Sequence, residues 1–359
     1  MNLDKLLEQT AKHSASDLFI KVGVRPSLRI DGKLRFLKDE PVTAKDAESI
    51  ATHILNDRQR EIFNDELEID VAFDHPVHGR FRVNLFHQQG KVGVVLPRLT
   101  WDIPTLEELN LPAESLMNIA STSRGLFLVS GVAGSGKSTT LASMVDYINQ
   151  NFQKHVISLE DPIEYVYRDS KCVIEQREIG LDTRDFHSAL KHCVRQSPDV
   201  ILIGELRDRE TMEAAVAAAE TGHLVFSTLH TTNASQTLER VMNFFPPHQH
   251  EFLRMQLALV LIGIFSQRLL PLSEGTGRVP AYELLVNSPT IRDILHAGKP
   301  RDLPAAMKEG VHFGNITFNQ CLLRLFEEEQ ISLDEAINAS DRPDELQLEI
   351  RGITKGTKI

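Results

Sequence analysis

Over the first hundred or so positions, apolar residues alternate between helical and strand spacing. Leu3, Leu6, Leu7 and Ala11 fall on one helical face. After Ser16-Asp17, the run Leu18-Phe19-Ile20-Lys21-Val22 reads as a strand. Leu28–Ile30 and Leu34–Phe36 flank Asp31-Gly32, a two-residue hairpin signal. Thr43-Ala44-Lys45-Asp46 has the form of a capping box with Asp in place of Glu, opening a helix through about Leu55. Strands resume at Ile69–Phe73, Arg80–His87 and Val92–Leu96, with turns at His78-Gly79 and Gln89-Gly90. Hairpins mixed with helices predict a compact α+β domain over residues 1–99.

Trp101 to Pro112 carries two prolines and several acids and reads as a linker, taken as 100–113. From residue 114 to 359 the pattern changes. Short apolar runs at 125–130, 157–159, 200–203 and 224–226 suit buried parallel strands. Helical spacing follows at 139–145, Asp185–Arg195, Thr211–Glu220 and Ser235–Asn243. This alternation predicts an α/β domain with helices on both faces of a parallel sheet, whose ligands bind at the carboxyl ends of the strands. After Pro271 the spacing is mainly helical, at Thr290–Ala297, Ile316–Glu329 and Leu333–Ala339, and the polar tail from Arg342 is expected to fray.

Between the first of those strands and the helix after it stands Gly131-Val132-Ala133-Gly134-Ser135-Gly136-Lys137-Ser138-Thr139, which contains G-x-x-x-x-G-K-S. The glycines Gly131, Gly134 and Gly136 let successive backbone N–H groups, including that of Ser135, turn toward one anion at a helix N-terminus. Lys137 would reach the β- and γ-phosphates, and Ser138 would offer its hydroxyl to Mg²⁺. The loop therefore points to ATP with Mg²⁺.

Three further stretches narrow the chemistry. Glu160-Asp161-Pro162-Ile163-Glu164 follows a strand, and hydrolysis needs a carboxylate to hold the attacking water, which Glu164 could supply. The residues alone fit a loop cap equally well. Asp199 to Glu205 is an apolar strand ending in an acid, where phosphate-loop enzymes place a carboxylate near Mg²⁺, although the usual acid is Asp. Gly222 to His230 puts a histidine at each end of one strand. His230 falls at the carboxyl end, near a γ-phosphate, and His223 at the structural end. In the N-terminal domain, Arg80 and Arg82 share one strand face, with Arg98 on a nearby strand. Spacing alone favours a solvated face for them over a site for transition-state charge.

Bulk properties exclude several classes. The 359 residues allow two domains or three, and 42% apolar content allows a packed core. A net charge of −11 leans against nucleic acid as main partner, and so against a nucleic-acid translocase built on a similar core. The longest apolar run, Leu257–Phe265, is too short to cross a bilayer, so no membrane insertion is expected. The N-terminus does not read as a signal peptide, and a cytoplasmic protein is expected. Three widely spaced cysteines, Cys172, Cys193 and Cys321, cannot build a four-thiolate zinc site.

Together these stretches resemble the secretion ATPase superfamily, and most closely its type IV pilus retraction (twitching-motility) ATPases. Ser16-Asp17-Leu18 with Arg29-Ile30-Asp31-Gly32 resembles the start of the family's PAS-like N-terminal domain. Gly79-Arg80-Phe81-Arg82-Val83-Asn84 resembles its arginine strand, Glu160–Glu164 its aspartate box, and Gly204–Asp208 its Walker B segment, in which glutamate is usual. Ala219–His223 through Leu229-His230-Thr231 resembles its histidine box. The resemblance implies a RecA-like core, ATP at a cleft between two domains, and Arg80, Arg82 and Arg98 acting in cis or across a subunit boundary. It also implies a homohexameric motor at the inner face of the cytoplasmic membrane, docked on the inner-membrane pilus platform protein and working beside a paralogous retraction ATPase. Extension and secretion ATPases typically carry a tetracysteine insert that this chain lacks. Thr290–Leu295 only partly resembles the main motor's C-terminal signature, and the end from Asn338 resembles the accessory paralogue. The accessory reading is therefore the expectation here.

Overall fold

A computed structural model of the chain describes residues 1–30, 32–98, 102–275 and 277–352. It divides into two compact units, Met1–Asp102 and Ile103–Ile359. The Asp31 half of the expected hairpin turn and the Trp101 start of the expected linker lie outside the described residues.

In the smaller unit the order is α1 (Leu3–Lys12), β1 (Asp17–Lys21), β2 (Ser27–Ile30), β3 (Lys33–Phe36), α2 (Ala44–Ile54), α3 (Asp57–Glu66), β4 (Glu68–His75), β5 (Gly79–Gln88) and β6 (Lys91–Pro97). The strands form one antiparallel sheet in the order β3-β2-β1-β6-β5-β4. Period-two burial fixes its faces. Phe81, Val83 and Leu85 of β5 are fully buried with Leu18, Leu28 and Leu96, against Leu6 and Leu7 of α1 and Ala47 and Ile50 of α2. On α1 the fourth buried position is Thr10 rather than Ala11, and the Thr10 hydroxyl is satisfied by Leu6 O. The Thr43/Asp46 capping box opens α2 as its spacing predicts. Helix α3 has no counterpart in the sequence reading, because it buries only Phe63 and so lacks an apolar stripe.

The larger unit continues with α4 (Ala113–Ala120), β7 (Gly125–Ser130), α5 (Lys137–Asn151), β8 (His155–Glu160), β9 (Val173–Glu178), α6 (Phe186–Cys193), β10 (Val200–Ile203), α7 (Arg209–Glu220), β11 (Leu224–Leu229), α8 (Ala234–Asn243), α9 (His250–Val260), β12 (Leu261–Pro271) and β13 (Arg278–Val286). The helices α10 (Pro289–Ala297), α11 (Leu303–Glu309), α12 (Phe318–Glu327), α13 (Leu333–Ala339) and α14 (Pro343–Ile350) complete it. The sheet runs β13-β12-β7-β11-β10-β8-β9, parallel from β12 to β9, with β13 antiparallel at the other edge. Every residue of β7 is buried, because both faces are covered. Phe127 and Val129 join Leu141, Val145 and Phe226 on one side, while Leu126 and Leu128 join Ile157, Val216 and Leu257 on the other. The chain is thus an α/β protein, a phosphate-loop core preceded by a smaller α+β unit.

Two expectations need correction and a third an addition. The segment read as a linker is built into the larger unit from Ile103 onward, with Leu106 and Leu111 buried in its core. The chain beyond Pro271 is mainly helical, as its spacing predicts, with β13 as an added strand. Over Pro343–Ile350 the tail is not frayed: Leu346 of α14 is fully buried, and Lys308 pairs with Glu345 and Glu349. Among the described residues no helix is long and apolar enough to cross a membrane.

Candidate active site

β7 and α5 put the phosphate loop at the carboxyl edge of the sheet. Gly136, in the left-handed region at φ +93°, is the residue before the first turn of α5, which begins at Lys137 and has no side-chain cap. Its free N–H groups are the donors an anion would meet. The loop is pressed against β12 from behind. A Cβ on Gly131 would lie 2.3 Å from Ser135 Oγ and 2.6 Å from Gln267 O, and one on Gly136 would lie 2.8 Å from Gln267 Nε2. Thr140 Oγ1 donates to Gln267 Oε1 at 2.7 Å, so one β12 side chain braces loop and helix together.

Lys137 is buried, and its Nζ donates to Gly131 O at 2.8 Å and to Val132 O at 3.1 Å. Burial lowers its pKa, opposed by the charges of Glu205 and Glu164. Ser135 Oγ is buried with no hydrogen-bond partner among the described residues. An orphan hydroxyl, a lysine folded over glycines and an uncapped helix start are a donor set that fits a polyphosphate.

A cleft of about 430 Å³ opens on this loop, lined by Gly134, Ser135, Gly136, Lys137, Ser138 and Thr139 together with Glu164, Glu205 and His230. Residues as distant in sequence as Gly134 and His230 thus meet in one place. Glu205 follows β10 through Gly204, whose carbonyl accepts from Thr228 Oγ1 at 2.6 Å. Arg207 donates to both Glu205 oxygens, and His230 Nε2 lies 3.4 Å from Glu205 Oε2. Burial works against ionisation of Glu205, but Arg207 and His230 outweigh it and hold its carboxyl below the usual range. Glu160 lines the same cleft, and burial pushes it up to about 7 against a hydrogen bond from Gln176. His223, at the far end of β11, bonds Ala218 O at 2.8 Å and so finishes α7. Among the described residues there is no group of three or more His, Cys, Asp or Glu able to hold a metal. The donors present, Ser138 and Glu205, suit an ion held mainly by substrate phosphate and water, as Mg²⁺ is.

Two residues that line the cleft escaped the sequence reading. Tyr165 bonds Thr139 Oγ1 at 2.7 Å, and Arg278 reaches in from the start of β13. Arg278 supplies an arginine inside the phosphate-loop unit itself. It sits beyond the recognisable boxes, with only the glycines Gly275 and Gly277 before it as a sequence signal.

Arg80, Arg82 and Arg98 belong to the smaller unit. Arg80 and Arg82 leave β5 on the face opposite Phe81 and Val83. Arg80 Nη1 lies 3.6 Å from Asp74 and Arg82 Nε 3.7 Å from Asp70, both across the β4–β5 pair. Arg98 extends β6 by a bridge to Phe81, and its N–H donates to Ser16 O at 2.8 Å.

Comparison with known proteins follows the same lines. The family model described as "Type II/IV secretion system protein" matches residues 1–301. The chain is 43% identical to the type IV pilus ATPase PilU of Pseudomonas aeruginosa over 351 residues, 98% of this chain and 92% of that protein. It is 40% identical to the type IV pilus retraction ATPase PilT of the same organism, over 96% of this chain and 99% of that one. The crystal structure of the pilus retraction motor PilT with bound ADP superimposes with a TM-score of 0.90 at 42% identity, covering 97% of this chain and 99% of that chain. The Legionella pneumophila ATPase DotB follows at 0.80 and 26% identity, over 98% and 96%. With the phosphate loop, the acids and the histidine in one cleft, and likeness extending over nearly the whole length, the chain belongs to the type II/IV secretion system protein family and is one of its ATPases.

Proposed function

We propose that the chain is an ATP-hydrolysing motor of type IV pilus retraction, working as a homohexamer and on the accessory side of the retraction pair. The observation that carries this reading is the cleft in which Lys137, Ser138, Glu164, Glu205 and His230 converge, in a chain alike end to end to the pilus ATPases. The C-terminal end, which resembles the accessory type, supports the finer assignment. Its partners would be further copies of itself, the inner-membrane platform protein and the paralogous retraction ATPase, at the inner face of the cytoplasmic membrane.

The backbone N–H groups of the loop bind and orient the phosphates, and Lys137 places positive charge against the β- and γ-phosphates. Ser138 and Glu205 would hold Mg²⁺, which when bound supplies charge that neutralises the phosphate oxygens. Arg207 and His230 hold the Glu205 carboxylate ionised and aimed into the cleft. Glu164 positions the attacking water and accepts its proton at a carboxylate oxygen. The test is turnover of purified protein with ATP and Mg²⁺. Glu164→Gln is expected to bind ATP and lose about 10²–10⁴-fold in rate. If Glu205→Gln stops turnover and Glu164→Gln does not, their roles are exchanged. Retraction measured on single pili in a deletion strain, with and without the paralogue, tests the motor assignment. Unchanged retraction in both would refute it.

A further inference from the structure

The segment carrying the candidate base has almost no regular structure of its own. After β8 ends at Glu160, residues 161–169 form neither helix nor strand. Backbone N–H and C=O groups in such a segment must find partners elsewhere when they are removed from water. Partners for three of these groups come from β9, an edge strand that among the described residues pairs with β8. Alternation puts Gln176 and Glu178 on one face of that strand. Gln176 Nε2 donates to Tyr165 O at 2.8 Å, and Gln176 Oε1 accepts from the N–H of Tyr167 at 3.0 Å. Glu178 Oε2 accepts from the N–H of Ile163 at 3.2 Å. Glu164 is thus bracketed: the residues immediately before and after it are each fixed by a β9 side chain, while its own side chain lines the cleft.

We propose that Gln176 is a positioning residue for the hydrolytic step, its side-chain amide fixing the backbone just after Glu164 and so the point from which that carboxylate meets the attacking water. This rests on the reading of Glu164 as the base. The amide is suited to the task because it presents a donor and an acceptor at once. A carboxylate at this position would keep the bond from Tyr167 and lose the bond to Tyr165 O. The same Nε2 lies 3.3 Å from Glu160 Oε1, so Gln176 also ties the end of β8 to the loop that follows it. An apolar residue would leave Tyr165 O and Tyr167 N–H without these partners and let the loop shift. Displacement of a reacting group by about 1 Å is enough to cost on the order of 10²-fold in rate.

The experiment compares the full chain with Gln176→Leu, Gln176→Glu, Glu164→Gln and the double variant Glu164→Gln/Gln176→Leu. It measures turnover with ATP and Mg²⁺ and binding of a fluorescent ATP analogue. Gln176→Leu is expected to lower kcat by about 10²-fold and leave analogue affinity within about threefold. Gln176→Glu keeps the acceptor for Tyr167 but turns a carboxylate toward Tyr165 O and Glu160, and is expected to lower kcat as well with analogue affinity unchanged. The double variant is expected to turn over no more slowly than Glu164→Gln, because a residue acting through Glu164 has nothing left to position. Wild-type kcat in Gln176→Leu beside an inactive Glu164→Gln overturns this inference alone. A double variant much slower than Glu164→Gln, or parallel loss of affinity and kcat in Gln176→Leu, overturns it as well. Full turnover in Glu164→Gln overturns both this inference and the reading beneath it.

Discussion

The phenol of Tyr165 and the hydroxyl of Thr139 are 2.7 Å apart. One stands beside the candidate base Glu164, the other in the first turn of the phosphate-loop helix. The bond joins the two halves of the chemistry. It also commits the Thr139 side chain to a protein partner, so Thr139 serves the nucleotide through its place in α5. Burial raises the pKa of Tyr165, which keeps it protonated and able to donate. Tyr165→Phe removes this bond and little else. A single hydrogen bond of this kind contributes about 0.5–1.5 kcal/mol. A fall in kcat of roughly three- to tenfold with unchanged analogue affinity is expected. Unaltered steady-state kinetics would show that the two segments hold their spacing without it.

Lys137 makes two bonds to its own loop, to Gly131 O and Val132 O, and retains donor capacity for the cleft. Its charge is stabilised by Glu205 and Glu164 against the penalty of burial. Lys137→Ala therefore removes a phosphate ligand and the positive charge that Glu205 and Glu164 face. Turnover is expected to fall by more than about 10²-fold and nucleotide affinity to weaken with it. Near-wild-type turnover in an assay of the purified variant would overturn the site.

Glu283 gives a pH dependence outside the active site. It lies in β13, is buried, and accepts from the N–H of Ala234 at 2.8 Å. Burial pushes its carboxyl from 4.5 up to about 7. Below the unfolded value both states are protonated and the group has no effect. Between the two values the folded state holds the proton that the unfolded state has lost, so stability falls as pH rises. Above about 7 the penalty is complete, on the order of 3 kcal/mol from the size of the shift. Glu160 adds a second contribution of the same sign. Glu283→Gln keeps an acceptor for Ala234 and cannot ionise. Thermal melts between pH 5 and pH 8 are expected to show a smaller loss of Tm in the variant. Equal losses would assign the dependence elsewhere.

Residues whose chemistry is local were legible in the sequence. The strand–loop–helix around Lys137 and the Thr43/Asp46 cap follow from near neighbours, and so could be read without the fold. What escaped depended on distant partners. β9 reads Val-Ile-Glu-Gln-Arg-Glu, an edge strand with too little apolar alternation to be seen, yet its Gln176 and Glu178 grip the Glu164 loop. The apolar run Leu257–Phe265 contains the junction of α9 and β12, and an unbroken run has no period to divide it. The polar tail conceals α14 because a single residue, Leu346, anchors it, helped by Lys308. His230 directly follows β11, as its motif predicts, but its proximity to Glu205 belongs to the sheet order rather than to either motif.

The last expectation concerns the smaller unit and where the larger one begins. Leu106 and Leu111 are buried in the larger unit, so a core starting near Pro112 would lose both. Full burial of a leucine contributes about 1.5–3 kcal/mol, a large share of a typical domain's stability. A chain starting at Ile103 keeps them and is expected to fold and bind the nucleotide analogue. Arg80 and Arg82 are absent from it. In the intact chain their ion pairs with Asp74 and Asp70 involve solvent-exposed carboxylates, and such pairs contribute about 0–1 kcal/mol. Arg82→Ala should therefore barely move the melting temperature. If Arg82 meets developing charge on the transferred phosphate, its loss removes on the order of 10³-fold in turnover. Stability unchanged, analogue affinity unchanged and turnover collapsed is the expected pattern for Arg82→Ala, and the chain from Ile103 should match it. Arg278, already inside the larger unit's cleft, is the competing source of that charge. Full turnover in the chain from Ile103, abolished by Arg278→Ala, would transfer the role to Arg278 and leave the β5 arginines as a solvated strand face.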